Sequence, residues 1–275
     1  MIRDPRVTPA RPDLASRALE GVVAADAYVD PRPMKVVVPA AALRRAADPA
    51  AEQVDQLLFG EIFEMLDEAD GYAWGQARRD GYVGFMETVA LGEPGPAATH
   101  RVSAIRTYAF AEPSIKSRAL GPYSINSLVA VEAREGRFAK AVNSGWFVEA
   151  HLTPVGVFET DPVAVAERFL GAPYLWGGRE SLGVDCSGLV QQALLACGKA
   201  IPRDTDQQEA IGAGVETLAR GDLVFWNGHV AMMLDETRII HANAFHMATA
   251  IEPLAQARAR YVAGGVGEPT AYRRP

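Results

Sequence analysis

A cysteine set where a glycine-rich loop turns into an apolar helix constrains this chain more than any other feature. Gly177, Gly178 and Gly183 lead into Val184-Asp185-Cys186-Ser187-Gly188-Leu189-Val190. From there Cys186, Leu189, Val190, Ala193, Leu194 and Cys197 recur at helical spacing, so one stripe of a buried helix begins at the cysteine. Asp185 stands at the N-cap position, where a short side-chain oxygen satisfies first-turn N–H groups. Unpaired backbone N–H groups and the helix dipole both favour a thiolate at such a position. A lone cysteine is ordinarily an inert apolar core residue. The glycine-rich approach, the flanking Asp185 and Ser187 and the histidines downstream reverse that preference here.

The histidines supply a base. Asp222-Leu223-Val224-Phe225-Trp226 reads as a buried strand, Asn227-Gly228 as a tight hairpin turn, and His229 to Leu234 as the return strand. Asp235-Glu236-Thr237 makes a second turn into Arg238 to Ala242. Alternation puts His229, Ala231 and Met233 on one face. A three-residue loop then sets His241 opposite Ala231 and diagonal to His229, within side-chain reach. The order Cys186, His229, His241 gives a nucleophile, a base and a group that orients the base, with an imidazole in place of the usual carboxylate.

The 275 residues suffice for more than one core, and the net charge of −7 carries no basic block of the kind that binds nucleic acid or an anionic membrane. Cys186 and Cys197 sit roughly 16 Å apart along one helix, beyond disulfide reach. Two unpaired thiols and a polar, proline-interrupted start lacking an apolar leader segment give the expectation of a cytosolic protein. Trp74, Trp146, Trp176 and Trp226 are expected to be packing anchors. Asp222 is given no chemistry, and His100, His151 and His246 have no partner assigned.

Upstream the composition changes. Asp13 to Asp26 is expected to form a short helix capped by Asp13, within an N-terminal helical segment over residues 1–30. Short alternating runs follow. Tyr72, Trp74 and Gln76 alternate before Arg79-Asp80-Gly81 turns into Tyr82-Val83-Gly84-Phe85. Arg137 to Val142 and Trp146-Phe147-Val148 repeat the theme around Asn143-Ser144-Gly145. Two such hairpins imply two small barrels, over residues 31–92 and 97–158. Glu93-Pro94-Gly95-Pro96 is the expected linker. Thr160-Asp161-Pro162 opens a third domain over 160–275.

Residues from about Asp161 to Ala263 resemble the NlpC/P60 family of cell-wall cysteine peptidases. The resemblance rests on Pro173-Tyr174-Leu175-Trp176-Gly177-Gly178, Asp185 to Val190, Pro202-Arg203-Asp204-Thr205-Asp206-Gln207-Gln208, Arg220 to Phe225, Gly228-His229-Val230 and Ile239-Ile240-His241-Ala242, in the family's order. The Gly-Tyr-Val-Gly and Gly-Trp-Phe endings upstream look like bacterial SH3-like domains, frequent companions of that family. The resemblance implies an α+β fold, a papain-like catalytic domain preceded by two small SH3-like β-barrels. It implies hydrolysis of peptides linked through the γ-carboxyl of D-glutamate, with Cys186 as nucleophile, His229 as base and His241 as orienting residue. Tyr174 is placed beside the nucleophile. Thr205 departs from the serine common at its position and adds a methyl group to the pocket.

In cytosolic members of this layout an SH3-like domain helps bind a free substrate amine. Asp185, Ser187, Thr205 and Asp204 are the candidates for that role in the catalytic domain, and Glu61 and Tyr82 in the first barrel. The expected partner is a small murein peptide, L-alanyl-γ-D-glutamyl-diamino acid, with no nucleic acid, membrane, cofactor or metal involved. The diamino acid and the oligomeric state are not legible. The alternatives are an exported endopeptidase acting on intact wall, a wall-peptide-binding protein with a silent catalytic domain, and a metalloenzyme using Cys186, His229, His241 and His246. The last lacks the close ligand pairs of zinc sites.

Overall fold

A computed structural model describes residues 3–275. The chain divides into two compact units, residues 1–155 and 156–275. The N-terminal segment and both barrels fall within the first of these units.

The expected helix over Asp13 to Asp26 is absent. Leu14–Ser16 forms a short strand that pairs in parallel with Ala27–Val29, and only a single 3-10 turn, Arg17–Leu19, lies between them. Gly21, in the left-handed region at φ +74°, ends that turn. Residues 1–2 of the predicted segment lie outside the described residues. The rest of the arm is tied to the first barrel: Val83 N–H donates to the Arg6 carbonyl at 2.7 Å, and the Arg11 guanidinium reaches Asp67 at 2.6 Å while lying 4.3 Å over the Trp74 ring.

Seven antiparallel strands build the first barrel, running from Arg32–Val36 through Ala40–Arg44, Gln53–Leu58, Ile62–Ala69, Tyr72–Ala77 and Val83–Glu87 to Leu91–Gly92. Met34, Val36, Leu43, Leu57, Phe63 and Met86 fill it. A five-stranded and a three-stranded sheet between His100 and Pro154 form the second. Phe59 leaves the first barrel and enters the second core, where its ring meets Tyr123 edge-on at 5.1 Å. The next residue, Gly60, has φ +84°, and a Cβ there would sit 2.2 Å from the Leu128 carbonyl oxygen. This position therefore needs glycine, both for its backbone and for the close approach. Glu93-Pro94-Gly95-Pro96 connects two barrels already packed together.

The C-terminal unit is α+β. Asp161 caps α1 (Pro162–Glu167) by accepting from the Val163 N–H at 2.9 Å. The longest described helix, α2 (Cys186–Ala196), packs against α1 and against the strands His229–Met233 and Arg238–Asn243. These strands belong to a six-stranded antiparallel sheet ordered Ala213–Gly214, Ala271–Arg274, Leu223–Trp226, His229–Met233, Arg238–Asn243, Ala248–Pro253. A one-turn helix, α3 (Thr205–Gln208), follows α2, and α4 (Leu254–Ala263) follows the last of the three hairpin strands. Leu254, Ala257 and Tyr261 of α4 pack with Val224, Trp226, Ala231, Met233 and Ile239. Alternation puts His229 on the face that carries Ala231 and Met233, which is the face α4 covers. Among the described residues no helix is long and apolar enough to cross a membrane.

Candidate active site

The cysteine stands where the sequence puts it. Cys186 is the first residue of α2, buried, with Asp185 as N-cap in extended geometry. The Asp185 carboxylate accepts from the Gly188 and Gly177 N–H groups, each at 2.8 Å, so one side chain caps the helix and pins the glycine loop. A Cβ on Gly188 would fall 2.2 Å from the Gly178 carbonyl oxygen, so that loop crosses the first helical turn at backbone contact. Cys197, expected in the core, is the half-buried C-cap of the same helix.

The hairpin geometry agrees with the sequence pattern. Trp226 pairs with His229 across the two-residue turn, Met232 with Ile240, and Met233 with Ile239. Continuing that register sets His241 opposite Ala231 and diagonal to His229. The ring contact is direct, His229 Nε2 to His241 Nδ1 at 2.9 Å. α2, which begins at Cys186, packs on the strand that begins at His229.

The electrostatics differ from the expectation. Burial pushes the Cys186 thiol up to about 12, and the Asp185 charge pushes the same way. The Val230 and Ser187 N–H groups and Arg203 favour the thiolate without overcoming burial. His229 lies well below its ordinary value, chiefly through burial and then through His241 and Arg260. The resting pair is therefore a neutral thiol and a neutral imidazole, and not the ion pair that a helix N-terminus alone would favour. Tyr174 is half-buried, and its phenol is raised by burial and by the neighbouring charges of Cys186 and Asp185.

Four further residues complete the site. His241 Nε2 meets Glu252 Oε1 at 2.8 Å, and both Glu252 oxygens face the Arg260 guanidinium, with Nη1 to Oε2 at 2.7 Å. Arg260 and His241 together hold the Glu252 carboxyl down to about 2 against the opposing effect of burial. The Tyr261 ring packs at a tilt against His229, with centroids 5.3 Å apart. On the other side, Arg203 donates to both Asp185 oxygens, at 3.0 and 2.6 Å, and to the Ser187 hydroxyl at 2.8 Å.

The remaining candidates fall into two groups. Ser187 is buried on the Asp185–Arg203 pair, and Gln208 of α3 holds the Ser187 carbonyl at 3.1 Å. Asp204 and Thr205, both half-buried, are the N-cap and first residue of α3. Glu61 and Tyr82 belong to the N-terminal unit. There Glu61 is buried and ion-paired to Arg79 at 2.6 Å, and Tyr82 packs in the first barrel's core. Among the tryptophans, Trp226 is buried against His229 and Tyr261, whereas Trp176 is exposed. Asp222 is a buried partner of Arg274 and of the Ala219 N–H. Among the described residues one donor cluster, His241, His246 and Glu252, lies close enough to share a cation. Both His241 nitrogens are already hydrogen-bonded and Glu252 faces a guanidinium, an arrangement that opposes a cation.

Residues 171–262 match the model of the NlpC/P60 family, and residues 43–91 match that of the bacterial dipeptidyl-peptidase Sh3 domain. The C-terminal unit is thus an NlpC/P60 cysteine-peptidase domain, behind an SH3 domain of the dipeptidyl-peptidase kind. Among curated relatives, the chain is 27% identical over 235 residues to dipeptidyl-peptidase 6 of Lysinibacillus sphaericus, covering 76% of this chain and 86% of the relative. It is 30% identical over 189 residues to the gamma-D-glutamyl-L-lysine dipeptidyl-peptidase of Bacillus subtilis, covering 62% of this chain and 63% of that protein. A solved NlpC/P60 family protein from Bacillus cereus shares the fold, with a TM-score of 0.76 at 21% identity over 88% of this chain and 99% of that one.

Proposed function

We propose that the protein is a dipeptidyl-peptidase of murein-peptide recycling that cuts L-alanyl-γ-D-glutamyl-diamino acid after D-glutamate. The observation that carries the chemistry is the line of contacts from His229 through His241 to Glu252, on a sheet against which the helix that begins at Cys186 packs. Support for the substrate class comes from the Sh3-domain match and from the names of the two relatives.

The mechanism begins from a neutral thiol. His229 has Nε2 engaged with His241, which leaves Nδ1 to take the proton as sulfur attacks the γ-carbonyl of D-glutamate. Because burial holds both groups neutral, proton transfer accompanies attack instead of preceding it. The N–H of Cys186, at the first helical position, is the proposed oxyanion donor. Collapse of the tetrahedral intermediate breaks the C–N bond, His229 protonates the departing amine, and a thioester remains. Water, deprotonated by His229, then releases L-Ala-D-Glu and restores the thiol.

Substrate capture falls to groups around Asp185. Its charge is already met by Arg203, so Asp185 and Ser187 act as oriented acceptors and not as a bare anion. Asp204 and Thr205 are proposed to line the same side, with the Tyr174 hydroxyl beside the reacting carbonyl. We place the enzyme in the cytosol, where two free cysteines stay reduced.

Cleavage of L-Ala-γ-D-Glu-diaminopimelate tests the reading, comparing wild type with Cys186→Ala and the free peptide with its N-acetylated form. Cleavage of the free peptide alone, lost in the variant, is the expected result. Equal cleavage of both peptides would replace the dipeptidyl-peptidase with an endopeptidase, and cleavage of neither would remove the substrate assignment.

A further inference from the structure

We propose that Glu252, held by Arg260, is a positioning residue that fixes the tautomers of both histidines and thereby leaves a bare nitrogen on His229 for the thiol. The proposal rests on the assignment of Cys186 as nucleophile and His229 as base, and it concerns how that base is kept in its working form.

The argument is one of donors and acceptors. A neutral imidazole carries one N–H donor and one acceptor nitrogen, and an ionised carboxylate only accepts. Glu252 faces Arg260 through both oxygens and is buried, so it stays ionised. The contact at 2.8 Å must then be a His241 Nε2–H donating to Glu252. That leaves His241 Nδ1 as an acceptor. The 2.9 Å contact to His229 Nε2 is then a hydrogen bond donated by His229. The proton of His229 is consequently on Nε2, and its Nδ1 is the unprotonated nitrogen. With every contact reversed, the proton would sit on Nδ1 and the base would be blocked.

The fold builds this line from three adjacent pieces. His241 pairs with Ala250, and Glu252, two residues on, returns to the same face of the neighbouring strand. Pro253 ends that strand and α4 begins at once, which brings Arg260 back over Glu252 and Tyr261 onto His229. His241 is fully buried, so no water competes with Glu252 for its N–H. The charged and titratable groups around the two rings are Cys186 from α2, Glu252, Arg260 and Tyr261 from the α4 side, and His246 from the turn after Asn243.

Glu252→Gln tests this without a change of shape. With its oxygen on Arg260 Nη1, at the Oε2 position, the amide places its nitrogen at the Oε1 position, where it donates to His241 Nε2. Both rings then change tautomer, and His229 carries its proton on Nδ1. Nitrogen NMR of histidine-labelled protein reads the tautomers without any substrate, so it holds even if the murein peptide is the wrong choice. The expected result is Nε2–H on both rings in wild type and Nδ1–H on both in the variant. Alkylation of Cys186 should slow about tenfold or more, and kcat should fall up to about 10⁴-fold with KM within threefold, the loss seen when a triad base is held in the wrong tautomer. Unchanged tautomers together with an unchanged alkylation profile in the folded variant would overturn the proposal.

Arg260→Met is the second arm, for the case in which Glu252→Gln does not fold. It keeps the carboxylate, so wild-type tautomers should persist at pH 7. They should be lost at a higher pH than in wild type as Glu252, released from Arg260, takes up a proton. An identical pH dependence of the ring signals in Arg260→Met and wild type would also overturn the proposal.

Discussion

Two buried carboxylates, each paired with an arginine, flank the catalytic contacts, and they are wired differently. At the nucleophile, Asp185 accepts from Arg203 twice and from the N–H groups of Gly188 and Gly177, and every one of these donors is structural. Behind the base, Glu252 accepts from Arg260 and from His241, and the His241 contact leads straight to the base. The same two kinds of group, carboxylate and guanidinium, therefore do different work. The first pair decides where the cysteine stands, and the second decides where a proton stands. Removing the first should appear as lost stability, and removing the second as lost rate in a folded protein.

The sharpest test of that contrast is Asp185→Ala. It strands the guanidinium of Arg203, which is only 1% exposed, and strips a helix cap. Breaking one side of a buried ion pair costs about 3–5 kcal/mol, and a lost cap about 1 kcal/mol more. The C-terminal unit is expected to melt far below wild type, and Asp185→Ala combined with Arg203→Met should recover much of that loss. If the double variant is no more stable than the single one, the buried charge is not what Asp185 compensates. Gly188→Ala comes next. Its methyl would meet the Gly178 carbonyl oxygen, and overpacking of this kind costs about 1–3 kcal/mol. A melting temperature equal to wild type would show that the glycine loop yields at no cost.

The same contrast explains what the sequence discloses. The nucleophile side is local: loop, cap, cysteine and glycine are consecutive, and the periodicities of helix and hairpin place Cys186, His229 and His241 directly. The diagonal between His229 and His241 follows from a two-residue turn and a three-residue turn, both legible as residue types. Each arginine pair, by contrast, is made by residues eight or eighteen positions apart on different elements. Arg203 lies inside a stretch whose Asp204 attracted attention first, because no local rule says which acidic residue a distant arginine will meet. Glu252 has a fainter signal, the one acid of its strand, two residues past the partner of His241. The N-terminal arm misled for a related reason. Asp13 resembles a cap, but pairing between Leu14–Ser16 and Ala27–Val29 overrides the helical pattern between them. The ionisation of the thiol is not legible in sequence, because the helix terminus is visible there whereas the depth of burial that outweighs it is a property of the fold.

The smallest expected effect lies in how stability follows pH. The thiol of Cys186 is raised from 9.0 to about 12, so its contribution is complete below pH 9 and is lost as pH rises through 12. His229 and His241 are both lowered from 6.5, so the unfolded chain takes up their protons first and stability falls as pH drops below 6.5. Glu252 is lowered from 4.5 to about 2, which adds a second loss between those values. Denaturant unfolding of wild type and Glu252→Gln across pH 2–9 checks the assignment. The two curves should run parallel above pH 4.5 and converge below it, because the variant has no carboxylate to protonate at that position. Curves parallel down to pH 2 would mean that Arg260 and His241 do not hold Glu252 ionised. The chain of donors that fixes His229 would then lose its anchor, even though the cap at Asp185 stood intact.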